Sequence, residues 1–398
     1  MASTPPNALE LDQDLARVSM DGEFSVSWTH RLRFTRHALR EGNDVLASVL
    51  PNAPEPTRML AVFDQGLINA RPGLLSDWEG WVARHPDRVS GGHPPVILPG
   101  GEVSKNGWEA FETTIKAIAE SHLCRRSIVV IYGGGAVLDA AGFAAATAHR
   151  GMGVIRFPST TLAQGDAGIG VKNAINAMGV KNFLGTFSPP VAVVNDTTLL
   201  DSLDEVHWRS GLSEAIKVAA LKDPGLLDQI ERDATLLCQR DLDAMERTLI
   251  TSARLHMDHI VAGGDPFETR HARPLDLGHW SAHRMEALSG WTMPHGDAVA
   301  LGLVIDLVYA SAIGRLDAAV AGRLVACLQA LGFPMTSPLL DDVDALLAGL
   351  QEFREHLGGR LTVPLVADVG RPDEVHEIDT DVMRASIESI RRGELPPR

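Results

Sequence analysis

The feature that most constrains the fold is a change of pattern near residue 200. Between residues 58 and 196, short apolar runs such as "SIVVIYGGG" alternate with helix-like segments such as "LDAAGFAAATAHRG". Strands that alternate with helices predict a parallel, Rossmann-like sheet covered by helices on both faces. Ligands of such sheets bind at the carboxyl ends of the strands. The first half of the chain is therefore predicted to be an α/β ligand-binding domain.

Beyond about residue 205 the glycine-bounded strands end. Long helical patterns follow, such as "EVHWRSGLSEAIKVAALK" and "GDAVALGLVIDLVYASAIG". We predict a polar N-terminal extension over residues 1–23, an α/β domain over 24–200 and an all-α domain over 201–398. The chain is thus expected to combine two domains of different class.

The charge balance restricts the classes of partner. The chain has 51 acidic and 36 basic side chains and a net charge of −15, so neither nucleic acid nor an anionic membrane is expected as partner. A small anionic substrate needs only a local group of cations. Three separated cysteines, without a CxxC pair, are typical of reduced thiols. We see no signal peptide or membrane-spanning stretch, which predicts a cytoplasmic protein.

A run of three glycines follows one of the predicted strands. Gly133, Gly134 and Gly135 in "VVIYGGGAVLDAAGF" lie between a strand and a helix. Glycines there let backbone amides approach a phosphate at the positive end of a helix, although a tight turn is the simpler interpretation. The run is not the GxGxxG fingerprint. Charged residues at other strand ends and in the following helix favour a bound dinucleotide, namely Asp64, Glu102, Lys105 and Asp139.

The segment "PSTTLAQGDAGIGVKNAINAMGVKNFLGTF", residues 158–187, is rich in glycine and polar side chains inside an apolar domain. A solvated loop is one interpretation. As a set, its lysines, amides and hydroxyls would bind a phosphate group. The candidates are Asp166, Lys172, Asn176, Lys181 and Asn182, with Arg150 from the end of the preceding helix.

Glu214 and Lys217 lie three residues apart on one helical face. A surface ion pair is the simplest interpretation, but the apolar residues around them place this face inward, where a carboxylate needs a cation. His279 and His283 are one helical turn apart, and His295 follows in a His-Gly-Asp turn. Two of these histidines with Glu214 would form an open metal site of the catalytic type, and the spacing leaves open which two. His256 and His259 are interpreted as ordinary surface or structural residues.

Six motifs occur in the order found in one protein family: "GGGAVLDAAGFAAATAHRG", "PSTTLAQGDAGIGVKN", "KNFLGTF", "GLSEAIK", "DLGHWSAH" and "HGDAVALG". Over about residues 60–310 they resemble the dehydroquinate synthase-like sugar phosphate cyclases, relatives of 3-dehydroquinate synthase and 2-epi-5-epi-valiolone synthase. Six ordered motifs are far more specific than any one of them. The resemblance implies an NAD-binding domain, a helical metal-binding domain and an active site between them.

The resemblance also implies a role for individual residues. It implies one divalent metal, zinc or cobalt, held by Glu214, His279 and His295. The implied NAD site comprises Asp64, Glu102, Lys105, Gly133, Gly134, Gly135, Asp139, Thr160 and Lys181. The implied phosphate contacts are Lys172, Asn182, His283 and Arg150, the last reaching across a homodimer. Lys217, Asp166 and Asp276 would hold the sugar hydroxyls.

The chemistry implied by the resemblance leaves NAD unconsumed. A substrate hydroxyl is oxidised transiently, phosphate is eliminated, the hydride returns, and an intramolecular aldol step closes a six-membered carbocycle. The metal would polarise the oxidised alcohol and later the aldol carbonyl. A lysine of depressed pKa, or the substrate phosphate itself, is expected to move protons. This reaction would make the protein a carbon–oxygen lyase.

The motif before the first histidine departs from that of 3-dehydroquinate synthase. That enzyme usually reads Asn-Phe-Gly-His, whereas this chain reads Asp276-Leu277-Gly278-His279. Arg273 is offset by one residue from the expected carboxylate-binding arginine, and the expected lysine is absent. The aspartate resembles cyclases that act on sedoheptulose 7-phosphate, which has no carboxylate, although those often lose the second histidine. We therefore predict a sedoheptulose 7-phosphate-like substrate rather than the heptulosonate phosphate of the shikimate pathway.

Three alternatives remain at this point. The first is 3-dehydroquinate synthase itself. The second is a metal-dependent polyol or alcohol dehydrogenase, which would release NADH; its metal site generally includes an aspartate, whereas Glu214 fits the cyclases. The third is a catalytically silent NAD-binding homologue, which the intact metal and lysine residues argue against.

Overall fold

The computed structural model describes residues 21–90, 93–178, 180–263, 267, 275–356 and 359–397. Two predictions therefore fall on residues outside this set. Most of the extension predicted over residues 1–23 lies outside the described residues, and so does Arg273. The division of the chain at residue 200 stays a prediction, although the last strand of the large sheet ends at Asp196 and the first long helix begins at Glu205.

The strands form one large parallel sheet and two hairpins. Their bounds are β1 Leu32–Thr35, β2 Thr57–Asp64, β3 Val89–Ser90, β4 Val96–Leu98, β5 Ile128–Gly133, β6 Gly153–Pro158, β7 Lys172–Ala177, β8 Val180–Phe187, β9 Ala192–Asp196, β10 Val363–Asp368 and β11 Arg371–Val375. The large sheet runs in the order β1-β9-β6-β5-β2, and β2 also pairs with β3 and β4. Each of its pairs is parallel. The parallel α/β architecture predicted for the first half is confirmed.

Thirteen helices surround and follow this sheet within the described residues. They are α1 Val45–Val49, α2 Gln65–Ala70, α3 Leu74–Arg84, α4 Glu109–Glu120, α5 Gly135–Thr147, α6 Glu205–Lys222, α7 Pro224–Cys238, α8 Leu242–Ala262, α9 His279–Leu288, α10 His295–Ala312, α11 Ala318–Ala330, α12 Val343–His356 and α13 Thr380–Arg391. Aspartates cap several of them, including Asp204 before α6 and Asp241 before α8. Their carboxylates accept backbone N–H groups that would otherwise lack partners, which sets where the helices begin.

Both faces of the sheet are covered. Along β5, Val130 and Tyr132 belong to one apolar core, whereas Val129 and Ile131 belong to the core on the other face. Side chains alternate across a strand, so a strand buried on both faces must be apolar throughout. On the first face the Tyr132 ring stacks on the Phe157 ring with centroids 4.3 Å apart. The uninterrupted apolar sequence of β5 is thereby explained.

The second half is built around α10. This helix spans 18 residues with a mean hydropathy of 1.3, long and apolar enough to cross a membrane, but 83% of it is buried inside the protein. It packs against α6, α9 and α13. A helix that is apolar all round fits the centre of a helical core. The helical half also contains the antiparallel β10–β11 hairpin, which the sequence interpretation did not include.

The polar segment 158–187 is folded rather than a solvated loop. It forms a π-helical turn, Ala163–Ala167, and then the antiparallel β7–β8 hairpin. Arg156 of β6 anchors the approach to the hairpin by donating to the carbonyls of Gly168, Gly170 and Lys172. This guanidinium is only 1% exposed. A buried guanidinium is tolerated where acceptors satisfy it, so this arginine fixes the segment to the sheet.

Candidate active site

The glycine run lies where the sheet meets α5. Strand β5 ends at Gly133, and Gly134 is the N-cap of α5. A Cβ atom on Gly133 would lie 2.8 Å from Val137 Cβ and 3.2 Å from Asp64 Cβ, so a side chain does not fit. A Cβ on Gly134 would meet Thr160 Cγ2 at 3.3 Å. Glycine has no side-chain acceptor, so Gly134 cannot itself cap the first amides of α5. Amides left without a side-chain cap at the start of a helix are suited to binding an anion.

The carboxylate at the end of β2 belongs to the same edge. Asp64 Oδ1 accepts from the Gly66 amide at 2.7 Å and from the Leu67 amide at 3.3 Å, which caps α2. A Cβ on Gly100 would lie 2.5 Å from Asp64 Oδ1, so the chain after β4 passes directly over this carboxylate. The structure therefore brings Asp64 next to the glycine turn, as expected for a ligand site at the carboxyl edge.

Charged residues after β4 and in α5 are paired at this edge. Lys105 is 5% exposed, and its Nζ donates to Asp139 Oδ2 at 2.6 Å and also contacts Asn182 Oδ1. Asn176 donates from Nδ2 to Glu102 Oε1 at 2.8 Å. These contacts join the predicted cofactor residues to the β7–β8 hairpin. The sheet-edge cluster, defined as Asp64, Glu102, Lys105, the glycine run, Asp139 and Thr160, is thus brought together.

Lys181 occupies a different place from the sheet-edge cluster. Its Nζ donates to Glu286 Oε1 at 2.7 Å and Oε2 at 2.8 Å, although the resemblance placed Lys181 with the cofactor. The neighbouring Asn182 contacts Lys105 instead. Successive side chains of a strand point to opposite sides, so β8 faces the sheet edge with one residue and the helical half with the next.

Three candidate metal ligands converge from three helices. Glu214 lies within α6, whereas His279 and His295 are the first residues of α9 and α10. Glu214 Oε1 lies 3.5 Å from His279 Nε2 and 3.4 Å from His295 Nε2. One ligand atom from each residue lies within 4.8 Å of the others. For metal–ligand bonds of about 2.0–2.1 Å in a tetrahedron, neighbouring ligand atoms are about 3.3 Å apart.

Two glycines let these helices approach one another. Gly278, just before His279, has φ +77, a conformation that side chains rarely adopt. A Cβ on Gly296, just after His295, would lie 2.5 Å from Ser210 Cα on α6. The close approach at Gly296 places the start of α10 against α6, and so brings His295 to Glu214.

The Nδ1 contacts of the two histidines orient them as ligands. His279 Nδ1 lies 3.0 Å from the Leu277 carbonyl, which can only accept a hydrogen bond, so Nδ1 carries the proton. Nε2 is then unprotonated, and its lone pair is available to a metal. His295 Nδ1 lies 3.2 Å from Glu286 Oε2. Both imidazoles therefore present Nε2 towards Glu214, the arrangement of metal-bound histidines held by an outer contact.

Glu214 carries the strongest sign of a cation-binding site. It is 0% exposed, and within the described residues its Oε1 has only the Nε2 atoms of His279 and His295 near it, at 3.5 and 3.4 Å. Lys217 Nζ lies 2.5 Å from Oε2. Burial would raise the pKa of Glu214, but Lys217 and His279 outweigh it and hold the pKa well below its usual range. An ionised, buried carboxylate beside two imidazole nitrogens fits a divalent cation.

Lys217 is the central cation of the substrate-binding candidates. Burial would lower the pKa of Lys217, but Glu214 and Asp166 outweigh it and raise the pKa above its usual value. This direction is opposite to the depressed pKa expected of a lysine that moves protons, and it depends on Glu214, itself a candidate metal ligand. Asp276 also attracts this ammonium, and its Oδ2 is buried without a hydrogen-bond partner among the described residues. Such an acceptor suits a substrate hydroxyl.

His283 lies beside the three ligands without being one of them. Its ring centroid is 5.3 Å from that of His279 and 6.1 Å from that of His295. Burial, with His279 and Lys181 nearby, lowers the pKa of His283 well below its usual value. A neutral imidazole at this position can donate or accept a hydrogen bond next to the metal site.

His256 is a site residue that the sequence interpretation missed. Its Nδ1 lies 3.0 Å from Asp166 Oδ1, and its side chain is 12% exposed, so it is not a surface residue. Asp166 Oδ1 is in turn 3.9 Å from Lys217 Nζ. Thr248 and Ser252, at four-residue spacing before His256 on α8, are 0% and 1% exposed. A buried polar stripe on one helix face is the signal that could have identified it. By contrast, His259 Nδ1 contacts Lys222 Nζ at 3.4 Å.

Two predicted phosphate contacts are exposed at the surface. Arg150 follows the C-terminal end of α5 and is exposed. A 13-residue helix is about 20 Å long, so Arg150 is far from the glycine turn of its own chain. Lys172 begins β7 and is exposed. The roles of both residues stay predictions.

Fold and site together define a two-part protein: a parallel nucleotide-binding type of sheet, and a helical half that presents a carboxylate and two imidazoles as a metal site. The family profile described as 3-dehydroquinate synthase N-terminal matches residues 95–210, and the C-terminal profile of that family matches residues 211–353. The chain belongs to the 3-dehydroquinate synthase family of sugar phosphate cyclases, which confirms the resemblance found in the sequence.

Individual relatives carry two different names. The chain is 36% identical over 303 residues to 2-epi-valiolone synthase of Actinosynnema mirum, covering 74% of this chain and 78% of that protein. It is 32% identical over 359 residues to 3-dehydroquinate synthase of Rhodopseudomonas palustris, covering 86% and 90%. Sequence similarity alone is therefore consistent with either activity.

Solved structures share the fold over nearly the whole chain. 2-Epi-5-epi-valiolone synthase from Streptomyces hygroscopicus, with NAD+ and Zn2+ bound, superimposes with a TM-score of 0.82 at 26% identity, covering 95% of this chain and 99% of that one. A 2-deoxy-scyllo-inosose synthase, complexed with carbaglucose-6-phosphate, NAD+ and Co2+, gives 0.75 at 21% identity, covering 91% and 96%. The second likeness is one of fold.

Proposed function

We propose that the protein converts a seven-carbon ketose phosphate, of the sedoheptulose 7-phosphate type, into a cyclohexane carbocycle. The reaction comprises transient oxidation of a hydroxyl, elimination of phosphate, return of the hydride and intramolecular aldol closure. This is a carbon–oxygen lyase reaction in which NAD is regenerated. The 36% identity to a valiolone synthase and the metal- and NAD-bound structural relative support it.

The cofactors proposed are NAD and one zinc or cobalt ion. The sheet-edge cluster would hold NAD, and Glu214, His279 and His295 would hold the metal. When bound, NAD supplies a hydride acceptor and the cation supplies a Lewis acid for substrate oxygens. Glu214 Oε1, which is buried without a hydrogen-bond partner in the described part of the chain and lies 3.4–3.5 Å from two imidazole nitrogens, supports the cation.

The observation that carries the choice of substrate is the cluster of carboxylates around one lysine. Glu214 lies 2.5 Å and Asp166 lies 3.9 Å from Lys217 Nζ, and Asp276 also attracts this ammonium. With Glu214 assigned to the metal, a substrate carboxylate placed beside Asp166 and Asp276 would still face two like charges, which is unfavourable. Sugar hydroxyls would instead donate to Asp166 and Asp276 and accept from Lys217. A ketose phosphate without a carboxylate therefore fits better than a heptulosonate phosphate.

The residues proposed for the phosphate group are those that the family resemblance implies. Lys172, Asn182 and His283 would contact it within one chain. Arg150 would reach it from a second subunit, because it lies at the far end of α5 from the glycine turn of its own chain. The proposal therefore includes a homodimer. We also propose that the protein acts in the cytoplasm.

A second candidate function is 3-dehydroquinate synthase itself. His283 and the 32% identity to 3-dehydroquinate synthases favour it. Arg273, which would contact a substrate carboxylate in that enzyme, lies outside the described residues. The carboxylates around Lys217 argue against it.

One experiment separates these functions. The metal-loaded protein is incubated with NAD and, separately, with sedoheptulose 7-phosphate and with the seven-carbon keto-acid phosphate of the shikimate pathway. Phosphate release from sedoheptulose 7-phosphate without net NADH is the expected result. Release from the keto-acid phosphate alone would overturn the substrate assignment. Net NADH would identify a dehydrogenase, and NAD binding without either reaction would identify a silent homologue.

A further inference from the structure

Glu286 is a buried carboxylate that connects the metal site to the hairpin. It lies on α9, seven residues after His279, and is 5% exposed. One oxygen, Oε2, lies 3.2 Å from His295 Nδ1. Both oxygens accept from Lys181 Nζ, at 2.7 and 2.8 Å. None of the roles proposed above uses this side chain.

The two histidine ligands are held in different ways. The Nδ1 atom of His279 contacts a backbone carbonyl two residues away, a partner fixed by the fold. The Nδ1 atom of His295 contacts a side chain instead, and that side chain belongs to another helix. The orientation of His295, and so the position of its Nε2 next to Glu214, depends on where Glu286 is held.

Lys181 holds Glu286 from the other half of the protein. Its ammonium is 18% exposed and the Glu286 carboxylate 7%, so the pair is shielded from solvent. A buried carboxylate whose cation is removed is costly and tends to move or bind a proton. Lys181 belongs to β8, next to Asn182, which contacts Lys105 of the sheet-edge cluster. The contacts therefore run from the sheet edge, through the hairpin, to a metal ligand.

We propose that Glu286 is the positioning residue for His295, and that Lys181 acts through Glu286 to couple the β7–β8 hairpin to metal affinity. This inference rests on the metal site of the proposed function and is independent of the substrate. It assigns Lys181 to the metal side of the active site rather than to direct contact with the cofactor.

The test measures Zn2+ affinity of the full-length protein by competition with a chromophoric chelator. Glu286→Gln is expected to weaken binding by about 10- to 100-fold, the usual cost of losing the outer partner of a metal-bound histidine. Lys181→Met should weaken it by about three- to tenfold, because Glu286 remains but is less well held. The double variant should match Glu286→Gln alone, since Lys181 acts through that carboxylate.

The matched control is Glu352→Gln. Glu352 of α12 pairs at 2.8 Å with Arg284, which lies on α9 as Glu286 does. Within the described residues Glu352 contacts no metal ligand, so its loss should leave Zn2+ affinity within about twofold. Visible absorption of the Co2+-loaded proteins gives a second readout: the band should change in Glu286→Gln and not in Glu352→Gln. Glu286→Asp, which keeps the charge, should restore part of the affinity. Melting of the metal-free variants checks that each is folded.

Two results would overturn the inference. Glu286→Gln with the Zn2+ affinity and Co2+ spectrum of the wild type would show that His295 needs no such partner. Losses that simply add in the double variant would show that Lys181 does not act through Glu286. A wild-type protein that takes up no metal would instead refute the metal site of the proposed function, and this inference with it.

Discussion

The sheet edge and the helical half both gather charged side chains, but within the described residues some buried carboxylate oxygens of the helical half lack a full set of partners. At the sheet edge, Lys105 contacts Asp139 and Asn182, and Asp64 accepts two backbone amides. In the helical half, within the described residues, Glu214 Oε2 pairs with Lys217, but Oε1 has no hydrogen-bond partner. Asp276 Oδ2 lacks a partner there as well.

The difference indicates what each region requires. Paired side chains at the sheet edge cost little free energy in the folded protein, so those side chains have their partners without a ligand. Buried, ionised groups without full partners destabilise a protein, and sites that keep them do so for function. We therefore expect substitutions in the helical half to affect metal binding and chemistry, and substitutions at the sheet edge to affect NAD binding without changing metal affinity.

The largest effect is expected from the metal ligands. His295→Ala removes one of three ligands and should lower metal affinity by at least about 100-fold, more than the loss of an outer partner costs. His283→Ala should spare metal binding, because His283 lies beside the ligands and outside their group. Metal content after dialysis, with isothermal titration of Zn2+, measures both. Equal losses in the two variants would refute the ligand assignment.

A smaller effect is expected from His256. Its removal leaves Asp166 without a neighbour at 3.0 Å, so Asp166 would be less well placed beside Lys217. With sedoheptulose 7-phosphate, His256→Ala should lower kcat/KM by roughly 10- to 30-fold at unchanged metal content. His259→Ala, on the same helix, is the control and should stay within about twofold. Similar losses in both variants would place His256 outside the site.

At the sheet edge the expected effect is specific for NAD. Lys105→Met removes the cation that orders Asp139 and Asn182, and should weaken NAD binding by about five- to tenfold without changing metal affinity. Lys116→Met is the control, because Lys116 forms only an exposed pair with Glu120 at 3.8 Å. Fluorescence titration with NADH measures the change. A parallel loss of metal affinity in Lys105→Met would break the distinction between the two regions.

The smallest effect concerns pH and the core of the helical half. Burial raises the pKa of Asp306 to about 7, although Trp280 Nε1 and the Gly278 amide donate to it. A carboxyl group with a raised pKa in the folded state stabilises the protein below its unfolded pKa, near 3.8, and this contribution is lost as pH rises towards 7. Between pH 5 and 6, the metal-free wild type should lose about 1 kcal/mol relative to Asp306→Asn.

Urea unfolding at the two pH values, with chelator present, measures this difference. Asparagine cannot ionise, so its pH dependence reflects the other groups alone. Identical changes in the two proteins would show that Asp306 is already ionised at pH 5.

The sheet edge was predictable because its signals are local in the sequence. A strand that ends in glycines before a helix fixes the turn at Gly133. Asp64 ends β2, and Glu102 lies four residues after the end of its neighbour β4. Parallel strands bring these ends to one edge, so their proximity follows from the order of elements. The hairpin was harder to predict, because Arg156, which holds its approach, lies in an otherwise apolar strand.

The helical site was less accessible to sequence reasoning. Glu214 lies 65 residues before His279 in the sequence, and the spacing of the three histidines left open which pair joins it. The family resemblance selected His279 and His295, and the structure places both next to Glu214. Glu286 and His256 were missed because their partners lie on other segments, and the pairing of Lys181 with Glu286 was not expected for the same reason.

The account is tested most directly by X-ray absorption of the Zn2+-loaded wild-type protein. It predicts one zinc per chain with two imidazole nitrogens and at least one carboxylate oxygen at about 2.0–2.2 Å, together with exchangeable oxygen ligands. A zinc ion without imidazole scattering, or a chain that retains no zinc, would contradict the convergence of Glu214, His279 and His295 on one cation.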